Sequence, residues 1–168
     1  ARCARRHAAA ICDCTSSSGV AAFSMTARYS GPVAREKTLP LLWLLSDARN
    51  DARLEAALAA LPARSGFVFR HYHLAPAERR ARFEALARVA RVHGHVVVLA
   101  GAEDWGADGH YGARGPRGLY LAAAHDGHEL QAAAAERADG VFLSPVFPTR
   151  SHPGAATLRL QGFHALAQ

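Results

Sequence analysis

The sequence predicts an α/β fold in which a parallel sheet curls into a small barrel. Three observations predict it. Short apolar runs alternate with amphipathic segments from Leu39 onward. Turn residues punctuate nearly every junction, and strands that alternate with helices imply βαβ units. The repeats are also short, which suits a small barrel better than a large doubly wound domain.

Leu41–Ser46 (LLWLLS) is continuously apolar, as a strand buried on both faces should be. Asn50 or Asp51 is placed to cap the next helix, whose Leu54, Ala57, Leu58 and Leu61 share one face. Pro62 and Gly66 end it. Gly66–His73 reads as the second strand, turning polar toward its end. Pro76 suits a first helical turn, and Phe83, Leu86, Ala87 and Ala90 give that helix its buried face. His95–Leu99 is the third strand. A short helix around Glu103–Trp105 precedes a brief fourth strand at 107–112. Leu119–Ala124 is the fifth strand, Asp126 and Glu129 make a capping-box-like start to a helix through Ala138, and Val141–Leu143 is the sixth strand. A proline-punctuated loop, Ser144–Gly154, follows, and a last helix begins near Gln161.

Residues 1–37 differ in kind. They are rich in Arg, Ala and Ser, with Asp13 and Glu36 the only acids. An Arg- and Ser-rich, acid-poor stretch suits a targeting leader. The alternative, which we favour, is translation from Met25, the only methionine, with residues 1–24 as upstream sequence read in frame. Either way 1–37 is expected to be disordered or loosely attached, and 38–168 to form the barrel domain.

The chain has 168 residues, half of them apolar, enough for one domain with a real core. No apolar run reaches the roughly eighteen residues a membrane span requires. Cys3, Cys12 and Cys14 all precede this domain, so a disulfide framework does not hold its core. The net charge of +6 invites a nucleic-acid reading. Against it, the arginines are dispersed. Their densest group, Arg79, Arg80, Arg82, Arg88 and Arg91, reads as an outward, solvated helix face. The expected partners are therefore small molecules, with no nucleic acid and no membrane.

Ligands of parallel α/β folds bind beyond the carboxyl ends of the strands. Those ends carry Ser46 and Asp47, then Arg70, His71, Tyr72 and His73, then His125, then the 144–154 loop. Arg70, Arg150 and His152 can carry positive charge, and Thr149 and Ser151 offer hydroxyls. With Tyr72 and Ser144 they make a cradle for phosphate, although an exposed loop of ordinary composition would read the same way. His125 emerges from an apolar strand, where a histidine serves as an acid or base, or simply caps the next helix. His71 and His73 share a side of the predicted strand, but no third ligand stands at a fixed spacing, so no metal site is assigned.

These residues resemble the thiamine-phosphate synthase and thiazole tautomerase family across about 39–168. Leu42-Trp43-Leu44-Leu45-Ser46-Asp47 resembles its opening strand, Gly106-Ala107-Asp108-Gly109 its Gly-Ala-Asp-Gly, and Ala123-Ala124-His125 with Glu129 its Ser-x-His…Glu. Ala138-Asp139-Gly140 through Ser144-Pro145-Val146-Phe147-Pro148-Thr149-Arg150-Ser151-His152 resembles its last and most specific block. The resemblance implies a (β/α)8 TIM barrel, incomplete here, with about six of eight strands. It implies a cytoplasmic enzyme of thiamin biosynthesis whose synthase branch joins a pyrimidine diphosphate to a thiazole phosphate and releases pyrophosphate, with Mg²⁺. Thr149, Ser151 and Arg70 would be phosphate contacts. In the tautomerase branch the strand-five histidine, here His125, is the proton shuttle.

The chain departs from the synthase pattern. Gln-x-Arg-x-Lys appears as Val68-Phe69-Arg70-His71-Tyr72, and Asn-Asp falls at Leu99-Ala100, which removes a metal-binding carboxylate. The serine of Ser-x-His is Ala123, and the final lysine is His152. The reading is thus a divergent member, a synthase, a tautomerase or a non-catalytic phosphometabolite-binding module. As a fragment it is expected to be inactive alone and, with the edges of its first and sixth strands open, aggregation-prone.

Overall fold

The computed structural model describes Ala9–Ala10, Ala22–Ser24 and residues 38–149, 154 and 156–167. Two short strands come first, β1 (Ala9–Ala10) and β2 (Ala22–Ser24). The rest of 1–37, read above as a leader, lies outside the described residues. Then follow β3 (Leu42–Leu45), a 3-10 turn (Asp51–Arg53), α1 (Leu54–Ala60), β4 (Gly66–Phe69) and α2 (Pro76–Val92). The remainder is β5 (Val96–Ala100), β6 (Gly109–Tyr111), β7 (Leu119–Ala124), α3 (Gly127–Ala135), β8 (Gly140–Leu143) and α4 (Arg159–Leu166).

Strands β3 to β8 pair in chain order, all parallel, as an incomplete α/β barrel wall. Among the described residues the sheet has eight strands, because β2 pairs antiparallel with β3 and β1 pairs parallel with β8. The two edges expected to be open therefore each carry a short partner, which satisfies part of their backbone hydrogen-bonding groups.

Alternation along the strands sorts the core into two layers. On the inner side Trp43, Leu45, Val68, Val98, Leu121 and Phe142 pack together, with Tyr111 beside them. On the helix side Leu44, Phe67, Phe69, Val97 and Leu99 meet Leu54 and Leu58 of α1 and Phe83, Leu86, Ala87 and Ala90 of α2. Trp43 sits edge-on to Phe142 at 5.8 Å and donates its indole N–H to Pro40 O at 2.8 Å. Its ring lies against Gly66, where an added Cβ would come within 2.1 Å of the indole, so only glycine fits opposite it.

Several local expectations fail for identifiable reasons. Neither Asn50 nor Asp51 caps a helix through its side chain. Asn50 is bound to Asp47 N and Leu45 O, and Asp51 is taken by His71 and Arg82. The second strand stops at Phe69 rather than His73, because the backbone turns to positive φ (39°) at His71. No helix forms around Glu103–Trp105: residues 101–108 cross from β5 to β6 as an irregular loop, with Glu103 and Trp105 held by Arg79. Helix α3 ends at Ala135 rather than Ala138, and α4 begins at Arg159 rather than near Gln161.

The outward arginine face is corrected at two positions. Arg79 is buried, and Arg82 is mostly covered by its ion pairs. Arg79 donates to Arg70 O (2.9 Å), Glu103 Oε1 (2.8 Å) and Ala100 O (2.5 Å), among the rings of Phe69, Tyr72 and Trp105. It pins α2 to the carboxyl ends of β4 and β5. Among the described residues, no helix is long and apolar enough to cross a membrane.

Candidate functional site

The carboxyl ends of β3 and β4 form the first part of the site. Arg70 follows Val68 by two residues, so it takes the inner side of the wall. Its Nε donates to Ser46 O at 2.9 Å, and its terminal nitrogen lies 3.4 Å from Asp47 Oδ2. Arg49 binds the same carboxylate more closely, at 2.6 Å. Burial raises the Asp47 pKa, but Arg49's hydrogen bonds and the charges of Arg49 and Arg70 outweigh it, so the group is held below the usual carboxylate range.

Tyr72 is two-thirds exposed and lies over the Arg79 guanidinium at 5.3 Å. Partial desolvation of its phenol against the wall outweighs the charges of Arg70 and Arg79 and moves its pKa upward. Tyr111, at the end of β6, stands edge-on to Phe142 at 5.5 Å, and its phenol is likewise pushed up by burial against the pull of Arg70. It was not singled out in the sequence. Its signal is faint: an aromatic at a strand's carboxyl end, between Gly109 and Gly112.

His125 forms the second part, at the end of β7. Asp126 caps α3 by accepting from Glu129 N at 2.8 Å. The Glu129 carboxylate turns back one residue further than a capping box requires. Its Oε2 accepts from His125 N (2.7 Å) and contacts His125 Nδ1 (2.8 Å). The hydrogen bond from the His125 ring, with that from its backbone, lowers the Glu129 pKa. With Nδ1 engaged by a carboxylate, Nε2 is the ring nitrogen available to a ligand.

The loop after β8 begins by extending the sheet, with Ser144 N donating to Ala124 O at 3.0 Å, and the Ser144–Pro145 peptide is cis. The carbonyls of Pro145 and Val146 accept from Leu158 and Arg159, both at 2.9 Å, so the loop returns to its own base. Ser144 and Thr149 are half-buried. Arg150, Ser151 and His152, the remaining members of the expected phosphate cradle, lie outside the described residues.

The structure thus groups the expected residues into two clusters at the same end of the wall, Asp47–Arg70–Tyr72 and His125–Glu129, with β5 and β6 between them. His71 and His73 lie close, with ring centroids 5.2 Å apart, although they do not share a strand. The carboxylates at this end do not fit a magnesium ion. Asp47 is bound by Arg49 and Arg70, Glu103 by Arg79, Asp104 by Arg117 and Glu129 by His125. Among the described residues no group of three or more His, Cys, Asp or Glu side chains is placed to hold a metal.

The fold is similar to that of a solved structure, a thiamine phosphate pyrophosphorylase from Pyrococcus furiosus. The TM-score is 0.61 at 18% sequence identity, and the alignment covers 74% of this chain and 67% of that one. No family model and no curated protein matches the sequence.

Proposed function

We propose that this chain is a cytoplasmic barrel of thiamin biosynthesis that takes phosphorylated pyrimidine and thiazole substrates, as a thiamine-phosphate-synthase-like transferase. The observation that carries the reading is the fold shared with the pyrophosphorylase, at a distance where only the fold is informative. In the coupling, the bond between the pyrimidine methylene carbon and the pyrophosphate oxygen breaks. The thiazole nitrogen then bonds to that carbon, and pyrophosphate leaves. The protein's work is to orient the two rings and neutralise the leaving anion. Arg70 supplies the cation, Ser144, Thr149 and Ser151 supply donors, and Tyr72 offers an exposed ring face. Arg150 and His152, next to them in the sequence, are assigned to the same anion. No step is assigned to Mg²⁺, because the carboxylates at this end are already engaged, Asp47, Glu103 and Asp104 by arginines, Glu129 by His125 and Asp126 by the Glu129 N–H. Calorimetry with thiazole phosphate and with the pyrimidine diphosphate tests the reading, alongside an assay for released pyrophosphate. Binding of both is expected, and binding of neither would remove it.

A second reading is favoured by one observation, the grip of Glu129 Oε2 on His125 Nδ1. A histidine fixed in this way presents Nε2 as an acid or base for proton transfer on a thiazole phosphate. That activity would need no Mg²⁺ and would vanish in His125→Ala. Unchanged turnover in that variant would sink it.

A further inference from the structure

Ser46, His71 and Asp51 form an unbroken hydrogen-bonded chain behind Arg70. Ser46 Oγ lies 2.9 Å from Arg70 N and 2.8 Å from His71 Nδ1. His71 Nε2 lies 2.7 Å from Asp51 Oδ1. The His71 ring is buried and stacks on Phe69 at 4.7 Å with an interplanar angle of 2°. Arg82 closes the outer end, donating to Asp51 Oδ1 at 2.8 Å and Asp51 O at 3.0 Å while also pairing with Glu55.

Donor and acceptor chemistry fixes the direction of this chain. The Arg70 amide can only donate, so Ser46 Oγ accepts there. The Asp51 carboxylate can only accept, so His71 Nε2 carries a proton. In a neutral ring Nδ1 is then an acceptor, and the Ser46 hydroxyl donates to it. Ser46 therefore holds Arg70 at two points: Oγ on its amide and the carbonyl on its Nε, both at 2.9 Å. The three residue types are those of a hydrolase triad, but this serine is fully buried and its oxygen already serves a backbone N–H. It has no access to a substrate and acts only through Arg70.

We infer that His71 is a positioning residue: through Ser46 it fixes Arg70 at the barrel mouth, where the guanidinium meets the phosphate of a ligand. The ligand part of this statement rests on the function proposed above; the grip on Arg70 does not. The groups facing His71 are Ser46 from β3, Asp51 from the 3-10 turn, Arg82 from α2 and His73 from its own loop. Burial, opposed by Asp51, lowers the His71 pKa and keeps the ring neutral at neutral pH. Protonation would turn Nδ1 into a donor, and Ser46 could no longer donate to it.

The test uses the whole chain. Long-range proton–nitrogen spectra read the His71 tautomer. Exchange of the Arg70 amide reads the grip without any ligand. The expected results are an Nε2–H tautomer and, in His71→Phe, about tenfold faster exchange at the Arg70 amide, the site that Ser46 Oγ holds, as the loss of one hydrogen bond implies. Ser46→Ala should do the same if the phenylalanine variant fails to fold. His71→Gln, which can donate to Asp51 and accept from Ser46, should restore slow exchange. Inorganic phosphate and thiazole phosphate should bind about tenfold more weakly to His71→Phe and near normally to His71→Gln. An Nδ1–H tautomer, or Arg70 amide exchange unchanged in a folded His71→Phe or Ser46→Ala, would overturn the inference. If the wild-type chain binds neither phosphate compound, the proposed function falls, while the exchange data still decide whether His71 positions Arg70.

Discussion

Replacing Arg79 by methionine should cost far more than replacing its neighbour Arg80. The Arg79 side chain is 9% exposed and Arg80 is 60% exposed, though both sit on α2 and both pair with a glutamate. Methionine keeps the packing against Phe69, Tyr72 and Trp105 but removes three donors and a charge. Two backbone carbonyls, Arg70 O and Ala100 O, then lose their side-chain partner. Breaking a buried charged pair costs about 3–5 kcal/mol. Glu103 is 44% exposed, so water takes up its charge, which puts the expected loss at the low end, about 3 kcal/mol. In a domain of this size that corresponds to a fall of about 6–12 °C in Tm. Arg80→Met removes a solvated i,i+4 pair with Glu84 and should stay within about 0.5 kcal/mol. Denaturant unfolding of the two variants side by side measures the difference. Equal shifts in midpoint would refute the argument that Arg79 anchors α2 to the sheet.

Four further outcomes follow from the same reasoning. Gly66→Ala should destabilise by about 1–3 kcal/mol, since its Cβ would press into the Trp43 indole; native-like stability there would mean the indole can move aside. His125→Ala should leave stability within about 0.5 kcal/mol, because the side chain is 58% exposed, so any loss of turnover would be chemical rather than structural. Because the folded-state pKa of His71 is lowered, the unfolded chain takes up its proton first. Stability should therefore decline as pH falls through the unfolded value of about 6.5 toward the folded one, and urea midpoints of His71→Gln should lack that part of the slope. Asp47 and Asp51 act at lower pH: their stabilisation is present above about pH 4 and lost as the pH falls through their depressed folded values.

The strands were legible because a strand buried on both faces must be apolar throughout, and Leu42–Leu45, Val96–Ala100 and Leu119–Ala124 are. What failed were positions where a polar side chain competes with the backbone pattern. Gly66–His73 looks like one strand, yet His71 leaves the sheet to join Ser46 and Asp51. Arg79 was grouped with solvent-facing arginines, although it stands four residues before Phe83 and so on the buried stripe of α2. The spacing held the information; the charge obscured it. Ser46 and Arg70 were visible as residues at strand ends, but the link between them spans 24 positions and follows only from the parallel register of β3 and β4.

The tripeptide Ala-Asp-Gly occurs twice, at 107–109 and 138–140, and the structure gives both copies the same task. Asp108 Oδ2 accepts from Val97 N while Asp108 N donates to Val97 O, both at 2.8 Å. Asp139 Oδ2 accepts from Tyr120 N at 2.9 Å, and Asp139 N donates to Tyr120 O at 2.8 Å. Each aspartate thus imitates a strand residue and latches the amino end of the preceding strand just before its own strand begins. That is the structural end of a barrel, where residues stabilise rather than react. The residues that resemble the synthase pattern therefore divide by location. Those at the amino ends specify how parallel strands start and speak for the fold. Those at the carboxyl ends, Arg70, His125 and the sequence from Ser144, fall where ligands of parallel α/β folds bind, and it is among them that the sequence departs most from the pattern, at Val68, Tyr72, Ala100, Ala123 and His152. A chain can keep the first set and change the second, which is why a shared fold at 18% identity speaks for the architecture and not for the reaction.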